Sequence, residues 1–235
     1  MKKLFLYKIT IFFAILFFSN NVKGQLVINE YSCSNLSTHS DVFGEEEDWI
    51  ELHNSTASPI DLTGYFLSDK SSNLTKWQIP SGTVPANGYM IIVASKRDTV
   101  VGGQLHTNFN LKQTRNEWII LSNSLANVVD SIQMVHMTKK DHSVGRSTDG
   151  ALDWKLFTSP TPGAANFGAQ DFYEPKPTLS LPAGFYPNAQ SVSITCANPN
   201  ATIRYTLDGS QPNAGSTVYS GPINIASTTV VRAAA

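Results

Sequence analysis

Residues 44–54 read GEEEDWIELHN: four consecutive carboxylates, Glu45, Glu46, Glu47 and Asp48, run into a stretch that is apolar at Trp49, Ile50 and Leu52. The acids are either ligands for a hard cation or the solvated entrance to a β-strand. Calcium takes about six to eight oxygens from loop positions spaced to wrap the ion. Neighbouring residues of an extended chain point to opposite sides, so four in a row cannot converge on one ion. A calcium site here would draw on Asp41, Glu45, Glu47 and Asp48. We prefer the strand, with the charged run as the wet end of a sheet edge. Along it, Ile50 and Leu52 share one face, and Trp49, Glu51 and His53 the other.

The same kind of element recurs along the chain. QLVINEY (25–31), GYFLSD (64–69), TKWQIP (75–80), GYMIIVAS (88–95), EWIILSN (117–123) and VVDSIQMV (128–135) are short apolar or alternating runs. SVSITCA (191–197), TIRYTLDG (202–209) and TTVVRAA (228–234) continue the pattern. Gly, Pro, Asn, Asp and Ser punctuate them, and helical periodicity is almost absent after residue 24. That spacing predicts an all-β chain built of sandwiches. Residues 49–54 (WIELHN) and 118–123 (WIILSN) echo one another, as two strands lining one core would. Asn87-Gly88 and Asp208-Gly209 read as tight turns. Ile203, Tyr205 and Leu207 are expected to point inward. Glu30 is expected on the face of Leu26 and Ile28.

The N-terminus has the layout of a secretory signal peptide over residues 1–24. Lys2, Lys3 and Lys8 precede an apolar run from Ile9 to Phe18, with cleavage expected before Gln25. The run is well short of the roughly twenty residues a spanning helix needs. The expectation is an exported chain, secreted or at the cell surface, without a transmembrane segment once the signal is cleaved. Cleavage removes Lys2, Lys3, Lys8 and Lys23 and no acid, leaving 13 basic against 18 acidic residues, a net charge of −5. The basic clusters are only pairs, Lys96-Arg97 and Lys139-Lys140, so nucleic acid is not expected as a partner.

After Phe157 the composition changes, with Pro160, Pro162, Pro175, Pro177, Pro182 and Pro187 in close succession. Proline removes a ladder donor, so this stretch reads as a semi-rigid connector. The boundaries expected are a first sandwich at 25–168, a linker at 169–177 and a second sandwich at 178–235. The last residues read as the middle of a strand, which suggests the N-terminal part of a longer protein. Cys33 and Cys196 fall in different domains and read as buried thiols rather than a disulfide.

No catalytic, metal or cofactor motif is present: CxxC, HExxH, GxSxG, GxGxxG and a P-loop are all absent. No catalytic residue and no cofactor is expected. Glu30 and Glu51 could form a glycosidase pair, which needs two acids opposed across a pocket. The reading we prefer makes them acceptors for backbone or Asn54 at the end of a sandwich. What remains is binding, through exposed aromatics or loop tips. Among Trp49, Trp77, Trp118 and Trp154, the exposed candidates for ligand contact are Trp77 and Trp154.

Residues 25–168 resemble the bacterial, secreted form of the lamin tail domain. The resemblance rests on LVINEY, DWIELHN, IDLTGYFLSD, WQIPSGTVPANGYMIIVAS, NEWIILSN, SVGRSTDG and SPTPGAAN in that order. Tyr65 stands where that family usually has Trp. Residues 178–235 resemble the C-terminal domain of chitobiase and β-hexosaminidase, through AGFYPNAQSVSI, ATIRYTLDGSQPNAGSTVYSGPI and TTVVRAAA. Both resemblances imply immunoglobulin-like β-sandwiches, the second accessory rather than catalytic in its parent enzymes. They also imply a setting in which such modules precede a catalytic region, first among them a kinase-like domain similar to the spore coat protein CotH. The functional expectation is a non-catalytic pair of modules binding a cell-surface glycan or protein. The alternative is the front part of a kinase-like or hydrolytic enzyme whose active site lies outside these residues.

Overall fold

The structure, a computed structural model, describes residues 25–235, so the signal peptide read at residues 1–24 lies outside the described residues. The described chain is β-structure and loops, apart from a single 3-10 turn at Gln113–Arg115. None of its helices is long and apolar enough to cross a membrane. Two compact units meet in sequence between Gln170 and Asp171.

Among the described residues, the first unit holds thirteen strands. In order they are β1 (Leu26–Ser32), β2 (Asp48–Asn54), β3 (Ile60–Asp61), β4 (Phe66–Ser68), β5 (Trp77–Gln78), β6 (Thr83–Val84) and β7 (Tyr89–Ala94). There follow β8 (Thr99–Val101), β9 (Gln104–His106), β10 (Trp118–Ser122), β11 (Val128–Gln133), β12 (Ser143–Arg146) and β13 (Trp154–Phe157). A large sheet runs β13-β12-β1-β2-β7-β9-β8, a smaller one runs β11-β10-β4-β5, and β3 pairs with β6. The two echoing segments are β2 and β10, one in each sheet. Ile50, Leu52, Ile119 and Leu121 are fully buried among the core side chains.

Strand β2 is buried on both faces, and the charged run preceding it enters a central strand rather than an edge. Two loops and the start of β7 close over the face of Trp49, Glu51 and His53. The His39 ring meets Trp49 edge-on at 6.4 Å between centroids, Gly163 caps Glu51, and Tyr89 stacks on His53 at 4.8 Å. Asn87 turns into β7 with a φ of 51°, the left-handed conformation expected of Asn before Gly.

Strand β1 departs from simple alternation. Ile28 pairs with Leu52, but the next paired residue, Glu30, faces Glu51, leaving Asn29 as a β-bulge. A bulge adds one residue to one strand and reverses the faces that follow. Glu30 therefore shares the face of Glu51, not that of Ile28 as alternation predicts.

The second unit is made of short strands: β14 (Thr178–Leu179), β15 (Gln190–Val192), β16 (Ile194–Thr195), β17 (Arg204–Thr206), β18 (Thr217–Val218), β19 (Ile223–Ile225) and β20 (Arg232–Ala234). They pair as β14-β16, β15-β19 and β18-β17-β20. Its buried apolar side chains include Val192, Ile194 and Ile223. Leu207, expected to point inward, is exposed because it lies past the end of β17 where the chain turns through Asp208 and Gly209. Cys33 and Cys196 are free, and both are half-buried rather than core thiols.

Candidate functional site

The acidic run is organised by a cation fifty residues away. Asp41 accepts the backbone N–H groups of Phe43 (2.8 Å) and Glu45 (2.9 Å) on Oδ1, while Oδ2 takes Arg97 at 2.7 Å. The Arg97 guanidinium also pairs with Glu45 and lies 3.6 Å from Glu47. It stacks over the Phe43 ring, 4.6 Å from the centroid. Asn35 closes the loop from inside, accepting Thr38 and His39 N–H and donating to the Glu47 carbonyl at 2.9 Å. Burial of the Asp41 carboxylate opposes its charge, but the two N–H donors and Arg97 outweigh it and hold its pKa below the usual range.

Asp48 stands apart on β2. Burial pushes its carboxyl up to about 7 against an N–H from Leu111, with Glu47 adding a smaller like-charge push. The four acids assigned to a calcium site therefore separate. Asp41, Glu45 and Glu47 converge on Arg97, which brings the positive charge, and Asp48 turns into the sheet. The described residues contain no group of three His, Cys, Asp or Glu side chains disposed to hold a metal. Neither spacing nor composition connects Arg97 with the acids, because a long-range sheet contact brings them together.

The bulge creates the second cluster. Glu30 and Glu51 are both fully buried and directly opposite one another across β1 and β2. Glu30 accepts the hydroxyl of Ser143, the N–H of Thr161 (3.1 Å) and its hydroxyl (2.6 Å). Glu51 accepts the side-chain amide of Asn29 (2.9 Å) and the N–H of Gly163 (2.6 Å). Asp149 sits beside them, accepting Asn29 Nδ2 (3.0 Å), Asn166 N–H (3.0 Å) and the Tyr89 hydroxyl (2.5 Å). Asn166 donates in turn to the Arg146 carbonyl at 2.6 Å.

Burial raises the pKa of Glu30 despite its hydroxyl and N–H donors, and pushes Glu51 up to about 8. Asp149 also feels burial, but its donors prevail and hold it below the usual carboxylate range. Together the three carboxylates clamp the SPTPGAAN segment, residues 159–166, onto the large sheet. A glycosidase pair needs a pocket reaching a sugar and a water molecule. Here both acids are sealed, and their donors come from the chain itself. Of the two donors expected, backbone N–H groups and Asn54, the backbone supplies Thr161 and Gly163, while Asn54 donates to the carbonyls of Ser58 (2.8 Å) and Pro85 (3.0 Å). Sequence reasoning missed Asn29, Ser143, Asp149, Thr161, Gly163 and Asn166. The only signal available was the polar spacing in SPTPGAAN.

The tryptophans divide differently from expectation. Trp77 is 4% exposed, with its indole N–H donated to Asp98 at 2.9 Å, so it offers no face to a ligand. It lies on β5, the edge strand of the smaller sheet, which turns its side chain inward. Trp154 is half-buried, tilted against Tyr31 at 6.0 Å and under the Arg146 guanidinium at 4.9 Å. Among the exposed apolar side chains of the first unit are Val42 and Phe43 at the tip of the Arg97-bound loop and Val100 and Val101 on the edge strand β8.

The Lamin Tail Domain model matches residues 19–136, half of the chain, and the Chitobiase/beta-hexosaminidase C-terminal domain model matches residues 181–235. A search of curated proteins finds no match to the chain. Both matched modules are non-catalytic and immunoglobulin-like, in agreement with the sandwich of the first unit and the β-structure of the second. The chain belongs to the lamin tail domain family, and a chitobiase/β-hexosaminidase C-terminal domain follows its lamin tail module.

Proposed function

We propose that the chain is an exported, non-catalytic pair of modules that binds a cell-surface glycan or protein and is accessory to a catalytic activity carried elsewhere. The observation that carries this reading is the state of its best acid–base candidates. Glu30 and Glu51 are fully buried and committed to donors within the fold, so neither can reach a substrate. The contrast is Phe43, which is exposed yet held by the Arg97 guanidinium over its ring and by the tilted His106 ring at 5.5 Å. A rigid aromatic on a loop tip makes contacts with little loss of side-chain freedom. Trp154, half-buried on β13 at the opposite edge of the large sheet, is a separate aromatic candidate.

Binding of the chain to a panel of glycans and to intact bacterial cells tests the reading. Phe43→Ala or Trp154→Ala should weaken binding tenfold or more, as an order-of-magnitude expectation of about 1.4 kcal/mol, without unfolding the chain. Turnover of a chromogenic glycoside that disappears in Glu51→Gln would overturn it.

A further inference from the structure

Three carboxylates crowd the clamp, and the donors they receive are uncharged: Ser143 and Thr161 on Glu30, Asn29 and Gly163 on Glu51, Asn29, Asn166 and Tyr89 on Asp149. Glu30 and Glu51 are directly cross-strand and sealed from solvent. Like charges opposite one another in a sheet repel, and without water between them the repulsion is strong. Two such carboxylates cannot both ionise cheaply, so their titrations are coupled and one proton serves the pair.

We propose that Glu30 and Glu51 form a proton-held latch: a proton kept on this pair holds residues 159–166 closed on the sheet, and its loss on the alkaline side loosens them. The segment is the movable part because it supplies the outer donors, Thr161 and Gly163, while the inner donors belong to strands. Lifting it admits water to both carboxyls. The charged or titratable groups facing the pair are Asp149 and Tyr89, with His53 near Asp149. Asp149 stays ionised at neutral pH and adds a third negative charge, which strengthens the hold on the proton.

The sign of the response follows from linkage. Open, the two carboxyls titrate near the ordinary value of 4.5; closed, burial raises both, Glu51 to about 8. The closed form binds more protons between those limits, so its advantage is complete at acid pH and is lost as pH rises toward 8. One extra proton changes the opening equilibrium by up to about tenfold per pH unit across that window.

Amide hydrogen exchange on the full chain, with rates corrected for their intrinsic pH dependence, reads the latch directly. Protection of the Thr161 and Gly163 amides should fall by up to about tenfold per pH unit between the ordinary value of 4.5 and about 8, and level off above that. Protection of the Ile120 amide in β10 should stay constant. In the double variant Glu30→Gln, Glu51→Gln the pH dependence at Thr161 and Gly163 should disappear. Should that variant not fold, the carboxyl C=O stretch in infrared spectra of the wild-type chain decides: a protonated glutamic acid that ionises above neutral pH supports the latch. Protection at Thr161 that does not vary with pH, or glutamates ionised throughout at neutral pH, would overturn it.

Discussion

Two side chains, Arg97 and Asp48, shape the first unit, and each is defined by its partners. Arg97 converts the acidic run from a cluster of repelling charges into a folded loop with an ordered apolar tip. Replacing it with alanine should lower hydrogen-exchange protection across residues 38–47, leaving β2 unaffected. Adding calcium or a chelator to the wild-type chain should leave its melting temperature unchanged, because Arg97 already occupies the point on which Asp41, Glu45 and Glu47 converge. Asp48 titrates against the fold. Its carboxyl is held near 7 by burial, above the ordinary 3.8, so its contribution to stability is present at acid pH and lost as pH rises through 7. Asp48→Asn keeps the acceptor for Leu111 and removes the charge. Urea denaturation at pH 8 should then show a gain of about 1–2 kcal/mol, shrinking toward zero at pH 4.

At the scale of elements, strand content was readable and pairing geometry was not. Alternation placed β1, β2, β7, β10 and β11, since apolar residues at period two leave a direct imprint on sequence. It failed at Asn29, because a bulge is recorded in the partner strand's register and in no property of the LVINEY run itself. From that one residue follow the facing of Glu30 and the whole clamp, in which backbone N–H groups rather than Asn54, the two donors the sequence offered, meet the carboxylates. Arg97 was hidden for a related reason: β2 and the turn after β7 become neighbours only through the sheet. Trp77 looked exposed because it sits in a polar stretch, yet the short β5 carries it into the packing.

Gly145 marks how closely these elements approach. A Cβ there would lie 3.0 Å from the Phe157 ring, 3.1 Å from Asn166 Nδ2 and 3.1 Å from Glu30 Cγ. Gly145→Ala should therefore destabilise the first unit by about 1–3 kcal/mol in urea denaturation, by overpacking the clamp.

For the molecule as a whole, the two units differ in how they are held. The first has a dense core with both faces of its central strands covered, while the second has short strands and few buried apolar side chains. All four tryptophans, Trp49, Trp77, Trp118 and Trp154, belong to the first unit. Tryptophan fluorescence therefore follows the unfolding of that unit alone within the intact chain. This makes one measurement decisive between a structural clamp and a reacting or binding pair: urea unfolding of wild type, Glu30→Ala and Glu51→Ala by tryptophan fluorescence, alongside cell and glycan binding by the same proteins. If the pair is structural, each substitution strands buried donors and lowers stability by about 2–4 kcal/mol, while the folded fraction binds as wild type does. Unchanged stability together with lost binding or lost turnover would contradict this, and would make Glu30 and Glu51 the functional site itself.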